Sequence, residues 1–204
     1  MAKRRILYGD SRSGNCYKVR LLCAELGIDY EWIEVDILRG ETRTASFLKL
    51  NPNGKIPLLV TRGGDCLPES NAILCYLAEG NTLAGTTRLA RARVLSWMFF
   101  EQYSHEPYIA TARFILRYLG NPPARQAELE SGKTGGYRAL DVMEQQLAET
   151  GHITGYDFTL ADIALYAYTH VAHEGGFTLD AYPAIRAWLA RIEQRPKYVP
   201  MQAA

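Results

Sequence analysis

The amino-acid sequence predicts an α/β first half with the element order βαβ–ββα and an all-helical bundle for the second half. Two observations carry this. Up to residue 80 the apolar residues switch between strand-like runs and helix-like spacing, and beyond residue 88 only the helix spacing recurs. Between them Asn81-Thr82-Leu83-Ala84-Gly85-Thr86-Thr87 is small and polar, the composition of a linker. The expected organisation is therefore a first domain over 1–80, a linker over 81–87 and a helical domain over 88–204.

Ile6-Leu7-Tyr8 is a short apolar run closed by Gly9-Asp10, which reads as a buried strand. From Asn15 to Leu26, Val19, Leu22, Cys23 and Leu26 follow the i, i+3, i+4, i+7 spacing of one helical face, and Gly27 stops it. Tyr30 to Val35 is aromatic and β-branched, a second strand, so the first three elements form a βαβ unit with parallel strands. A short helix over Ser46 to Leu50 ends at Asn51-Pro52-Asn53-Gly54. Leu58 to Thr61 and Cys66-Leu67 flank the turn Gly63-Gly64-Asp65 and form an antiparallel hairpin. Ser70 opens a helix from Asn71 to Ala78. In the second half, helices are expected from 88 to about 118 with a bend near Pro107, over Leu129 to Leu147, over Leu160 to Ala167 and over Ile185 to Ile192.

Composition narrows the function classes. Of 204 residues, 48% are apolar and 22% charged, which excludes a disordered chain. The formal net charge is +1, which offers no field for nucleic acid or an anionic membrane. No run approaches the roughly 18 apolar residues of a membrane span, and the first residues lack a signal peptide's apolar stretch. The four cysteines, Cys16, Cys23, Cys66 and Cys75, match no zinc-binding spacing, so no metal site is expected. These features imply a cytoplasmic globular protein with free, buried thiols.

The βαβ–ββα order with a proline just before the third strand is the thioredoxin-type arrangement, whose chemistry sits at the start of the first helix, often as C-x-x-C. Here that place reads Ser13-Gly14-Asn15-Cys16. A serine hydroxyl does not ionise unaided, so an attacking thiol must come from a bound molecule. Four segments, in order, extend the comparison: Arg12 to Arg20; Asn51-Pro52-Asn53-Gly54-Lys55-Ile56-Pro57; Pro68-Glu69-Ser70-Asn71-Ala72-Ile73; and Phe158-Thr159-Leu160-Ala161-Asp162. Together they resemble the cytosolic glutathione transferases along essentially the whole chain, with a serine-type active-site segment like that of the theta, delta and zeta classes.

The resemblance implies glutathione as co-substrate, no tightly bound cofactor, a hydrophobic electrophile as second substrate, and a homodimer. Ser13 is the expected catalytic hydroxyl, donating a hydrogen bond that favours the glutathione thiolate. Serine is also a good helix N-cap, and the two roles compete for one oxygen. Ser11 on the same loop and Cys16 one turn into the helix are the alternatives. Glu69 and Ser70 would hold the ammonium and carboxylate of the γ-glutamyl end, Ile56 before a cis Pro57 the cysteinyl backbone, and Lys55 the glycine carboxylate. Gln102, Tyr103 and Arg113, near His105 and Tyr108, are expected to line the electrophile pocket, with Tyr103 able to stack on and polarise a substrate. Thr159-x-x-Asp162 reads as a structural capping box. Zeta-class isomerases carry Ser-Ser-Cys where this chain has Ser13-Gly14-Asn15, which argues against a maleylacetoacetate isomerase. The rival readings are a glutathione-dependent peroxidase or disulfide oxidoreductase, and a non-enzymatic glutathione-binding or regulatory protein.

Overall fold

The computed structural model describes residues 4–155 and 157–201; the expected outer bounds at 1 and 204 lie outside these residues. The chain forms two compact units, Met1–Glu79 together with Lys197–Ala204, and Gly80–Pro196.

The first unit contains β1 (Arg5–Gly9), α1 (Gly14–Leu26), β2 (Tyr30–Glu34), α2 (Ala45–Leu50), β3 (Leu58–Val60), β4 (Cys66–Pro68) and α3 (Ser70–Leu77). Its sheet runs β2-β1-β3-β4, with β1 parallel to β2 and both other pairs antiparallel. The two-residue period of a strand divides the core into layers. Leu7 and Leu59, paired in register, pack with Val19 and Cys23 of α1 and Ile73 of α3. Leu58 points the other way and packs with Val35 and Phe47, joined by Tyr8 and Ile56. Each such fully buried Leu or Ile contributes roughly 1.5–3 kcal/mol.

Helix α1 departs from the expected single apolar face. Cys16, Tyr17, Lys18, Val19, Leu21, Leu22 and Cys23 are all buried, because the helix is enclosed on more sides than the one facing the sheet. Part of that cover comes from the end of the chain, which clusters with the first unit although the sequence pattern assigns 88–204 to one helical domain. The Tyr17 hydroxyl donates to the Val199 carbonyl at 2.7 Å, and Lys197 Nζ donates to the Glu25 carbonyl at 2.8 Å. A wholly buried phenol needs a partner, and the tail supplies one to Tyr17. The cysteines also divide: Cys16 and Cys23 are buried, Cys66 is exposed because it stands on the edge strand β4, and Cys75 on α3 is half-buried.

The second unit contains α4 (Arg88–Phe100), α5 (Glu106–Arg113), α6 (Gln126–Thr150), α7 (Leu160–Thr169) and α8 (Pro183–Glu193). The expected linker region starts with a 3-10 turn, Thr82–Ala84, capped by Asn81, and Thr87 caps α4. The irregularity expected near Pro107 is a π turn over Glu101–His105, in which the Glu106 N–H reaches the Glu101 carbonyl. Proline has no N–H to close a regular turn, so the widened turn falls just ahead of it. A second π turn covers Phe114–Tyr118. Helix α6 packs closely through glycines: a Cβ on Gly135 would meet the Tyr108 ring of α5 at 2.5 Å, and one on Gly136 the ring of Phe177, in the segment before α8, at 2.4 Å.

Every residue of α7 is buried, which makes it the central helix of this unit. Its capping box is present, and Asp162 does more than cap. The carboxylate is wholly buried and accepts from the Thr159 N–H at 2.8 Å, the Thr159 hydroxyl at 3.0 Å, the Ile153 N–H at 3.0 Å and Trp188 Nε1 at 2.9 Å. One side chain thus ties the loop before α7, the start of α7 and the core of α8. Among the described residues no helix is long and apolar enough to cross a membrane.

Candidate active site

The loop that enters α1 is held rigidly. Asp10, 1% exposed, accepts from the Arg12 backbone N–H at 2.9 Å, from Arg12 Nε at 3.1 Å and from an Arg12 terminal nitrogen at 3.0 Å. Such a bidentate pair has a fixed geometry, and it lies immediately before Ser13. Ser13 is the N-cap of α1, its oxygen accepting the Cys16 N–H at 3.4 Å. The expected competition between capping and catalysis dissolves at this point. Capping uses a lone pair, while activating a thiolate uses the hydroxyl proton, and serine has both.

The two alternatives to Ser13 are placed differently. The Ser11 hydroxyl donates to Glu34 Oε1 at 3.1 Å, and its N–H donates to the same oxygen at 2.8 Å. Its single proton is therefore committed. Cys16 is wholly buried, and burial pushes its thiol up to about 12, with hydrogen bonding from Ser13 and the Asp10 backbone offsetting part of the rise. At neutral pH it stays a thiol and is a poor nucleophile. Cys23 behaves likewise, raised to about 12 by burial.

The loop before β3 is organised by Asn51, which the sequence showed only as a turn residue. It is 2% exposed; its amide donates to the Lys55 carbonyl at 2.7 Å and its Oδ1 accepts the Asn53 N–H at 3.1 Å. Gly54 has φ 60°, and a Cβ there would lie 3.0 Å from the Thr42 carbonyl oxygen, so this turn requires glycine. The loop delivers an exposed Lys55 and a cis Ile56–Pro57 peptide bond.

Glu69 and Ser70 stand at the start of α3. Glu69 is exposed with φ 71° and ψ 113°, a conformation a non-glycine residue holds at a cost of roughly 1 kcal/mol or more. It occupies the N-cap position without a side-chain bond, so Ser70 is the first helical residue and not the cap. The Ser70 hydroxyl, 5% exposed, donates to Asn15 Oδ1 at 3.2 Å and accepts from Lys18 Nζ at 3.5 Å. Asn15 is two residues beyond Ser13. The starts of α1 and α3 therefore meet, and two helix N-termini with their serines are brought to one place. Asn15 and Lys18 were missed; the available signal was a lysine four residues before Leu22, on the apolar face of α1.

The three residues expected to line an electrophile pocket are not brought together. Arg113 is buried and paired through Nε with Glu174 at 2.7 Å, inside the helical unit. Gln102 donates to Glu101 at 2.9 Å and to Glu106 at 2.6 Å. Tyr103 is 86% exposed. A cavity of about 150 Å³ opens between α5 and α6, lined by Tyr108, Thr111, Ile115, Leu129 and Ser131 among others, and none of Gln102, Tyr103 and Arg113 borders it. His105 is a core residue: Thr169 gives its proton to the Leu165 carbonyl at 2.7 Å, so His105 Nε2 donates to Thr169 Oγ1 at 3.0 Å.

A four-stranded mixed sheet with flanking helices, a serine-capped first helix beside a Glu-Ser helix start, and a separate helical unit define a glutathione transferase-like class. Family comparison agrees: residues 12–79 match the glutathione S-transferase N-terminal domain and residues 97–196 the glutathione S-transferase C-terminal domain. A solved glutathione S-transferase from Pseudomonas fluorescens Pf-5 is 54% identical with a TM-score of 0.96, covering 98% of this chain and 100% of that chain. Glutathione S-transferase 3 of Zea mays is 33% identical over 209 residues, 97% of this chain and 93% of its own length. Disulfide-bond oxidoreductase YfcG of Escherichia coli K12 is 31% identical over 190 residues, 89% of this chain and 87% of its own length. The chain belongs to the glutathione S-transferase family.

Proposed function

We propose that the protein is a cytoplasmic glutathione transferase that joins the glutathione sulfur to an electrophilic carbon of a hydrophobic small molecule. The observation that carries this reading is Ser13 at the start of α1: its oxygen caps the helix, and its hydroxyl proton, which faces the neutral Cys16 thiol, can pass to the stronger acceptor that a thiolate is. Donating that proton stabilises a thiolate over a thiol, and the positive end of α1 acts in the same direction. The thiolate forms the new carbon–sulfur bond, the leaving group departs with its electron pair, and the thiol proton goes to solvent. Glu69 takes the γ-glutamyl ammonium, Ser70 and the N–H groups of α3 its carboxylate, the Ile56 backbone the cysteinyl unit, and Lys55 the glycine carboxylate. No tightly bound cofactor enters this scheme.

The name of the Escherichia coli relative favours a second reading, reduction of disulfides. The enclosed Cys16 separates the two sources of sulfur. The expected result is retention on immobilised glutathione, turnover of a chromogenic aryl halide, and full survival of both in Cys16→Ala. Failure to bind glutathione would overturn the proposal, and loss of activity in Cys16→Ala would move the chemistry to the protein's own thiol. Binding without turnover of any electrophile would favour a regulatory protein.

We also propose a homodimer. Leu95, Phe99 and Tyr103 recur every four residues and are 41%, 69% and 86% exposed, an apolar stripe that a second copy would cover. Phe99→Arg is expected to halve the mass measured by sedimentation; an unchanged mass would rule this face out.

A further inference from the structure

Lys18 is the buried group that the proposed chemistry leaves unused. Its side chain is wholly enclosed, on the turn of α1 that follows Asn15, and its Nζ lies 3.5 Å from the Ser70 hydroxyl. We infer that Lys18 is a positioning residue for the γ-glutamyl carboxylate of glutathione, acting through Ser70; this rests on the reading that Ser70 binds that carboxylate.

The argument is one of proton direction and field. An ammonium only donates hydrogen bonds, so the Ser70 oxygen must accept from Lys18 and aim its own single proton elsewhere. Without ligand that proton goes to Asn15 Oδ1, at 3.2 Å. A carboxylate arriving at the start of α3 is a stronger acceptor than an amide oxygen and takes the proton in its place. The lysine also strengthens the donor it sits behind, because a hydroxyl that accepts from a cation is polarised toward giving up its own hydrogen. Enclosure matters to this effect, since a charge removed from water acts more strongly on its neighbours. The role belongs to the γ-glutamyl end, because Ser70 is the site group that Lys18 reaches.

The test compares two thiols on the same protein sample: glutathione, and cysteinylglycine, which lacks the γ-glutamyl group. In Lys18→Met the dissociation constant for glutathione is expected to rise about tenfold or more, the loss of a hydrogen bond to a charged group. Turnover at saturating glutathione, and turnover with cysteinylglycine, should stay within about twofold of the wild type, the pattern of lost ground-state binding. Lys18→Arg, which keeps the cation, should recover most of the preference for glutathione. Equal losses with both thiols would reduce Lys18 to a structural role, and an unchanged preference would refute the inference. Should Lys18→Met fail to fold, Lys18→Gln removes the charge and reads the same ratio. A wild-type protein that binds glutathione no better than cysteinylglycine would instead overturn the Ser70 reading itself.

Discussion

Ser13→Ala is expected to lower aryl-halide conjugation at neutral pH by about 10²-fold, the usual scale for removing one donor to an anionic reacting group. The sign with pH follows from which form the hydroxyl favours. It bonds to the thiolate more strongly than to the thiol, so it depresses the pKa of bound glutathione, and removing it returns that pKa toward an ordinary thiol near about 8.5. The deficit should be largest at low pH and shrink as pH rises past the new pKa. Titrating the thiolate by its ultraviolet absorbance in the binary complex reads the shift directly. Glutathione affinity should change little, because the proposed scheme holds the γ-glutamyl and glycine ends at other residues. Loss of the helix cap adds a destabilisation of about 1 kcal/mol. An unaltered pH–rate profile would exclude Ser13 as the thiol-activating group.

Asp162→Ala is expected to destabilise the helical unit by about 4 kcal/mol, since a buried acceptor serving several donors is removed at once. The isosteric Asp162→Asn should fare almost as badly. Oδ1 accepts from Ile153 and Trp188, and Oδ2 accepts from the Thr159 N–H, so either orientation of an amide turns its NH₂ toward a donor. Thr159→Ala, at the other end of the same capping box, should cost only about 1 kcal/mol. Denaturant unfolding of the three variants measures the contrast. An asparagine variant within about 1 kcal/mol of wild type would show that the network is not what holds this loop.

Much of this was legible in the chain itself, and the physical reason is locality. The strand at Leu58–Val60, the stop at Gly27, the cap at Ser13 and the box at Thr159 and Asp162 depend on neighbours a few residues away. The misses depend on distant partners. Lys18 meets Ser70 across 52 residues and Arg113 meets Glu174 across 61, and nothing in the spacing of either residue announces its partner. Asn51 could be recognised as a turn residue, but its enclosed amide could not, because burial is a property of the folded surroundings. Gln102 and Tyr103 show the same limit: helical spacing places them on a helix, but the π turn over Glu101–His105 is a departure that spacing does not announce.

The polypeptide leaves the first unit near residue 80 and comes back to it at Lys197, where Val199 receives the Tyr17 hydroxyl. In topological terms the helical unit is an insertion, bracketed by two stretches of the unit that carries Ser13. During synthesis, the unit that carries Ser13 therefore waits for the segment from Lys197 until the whole helical unit has been made. A fragment cut at the apparent boundary would emerge with the acceptor for Tyr17 missing, however natural the cut looks on paper.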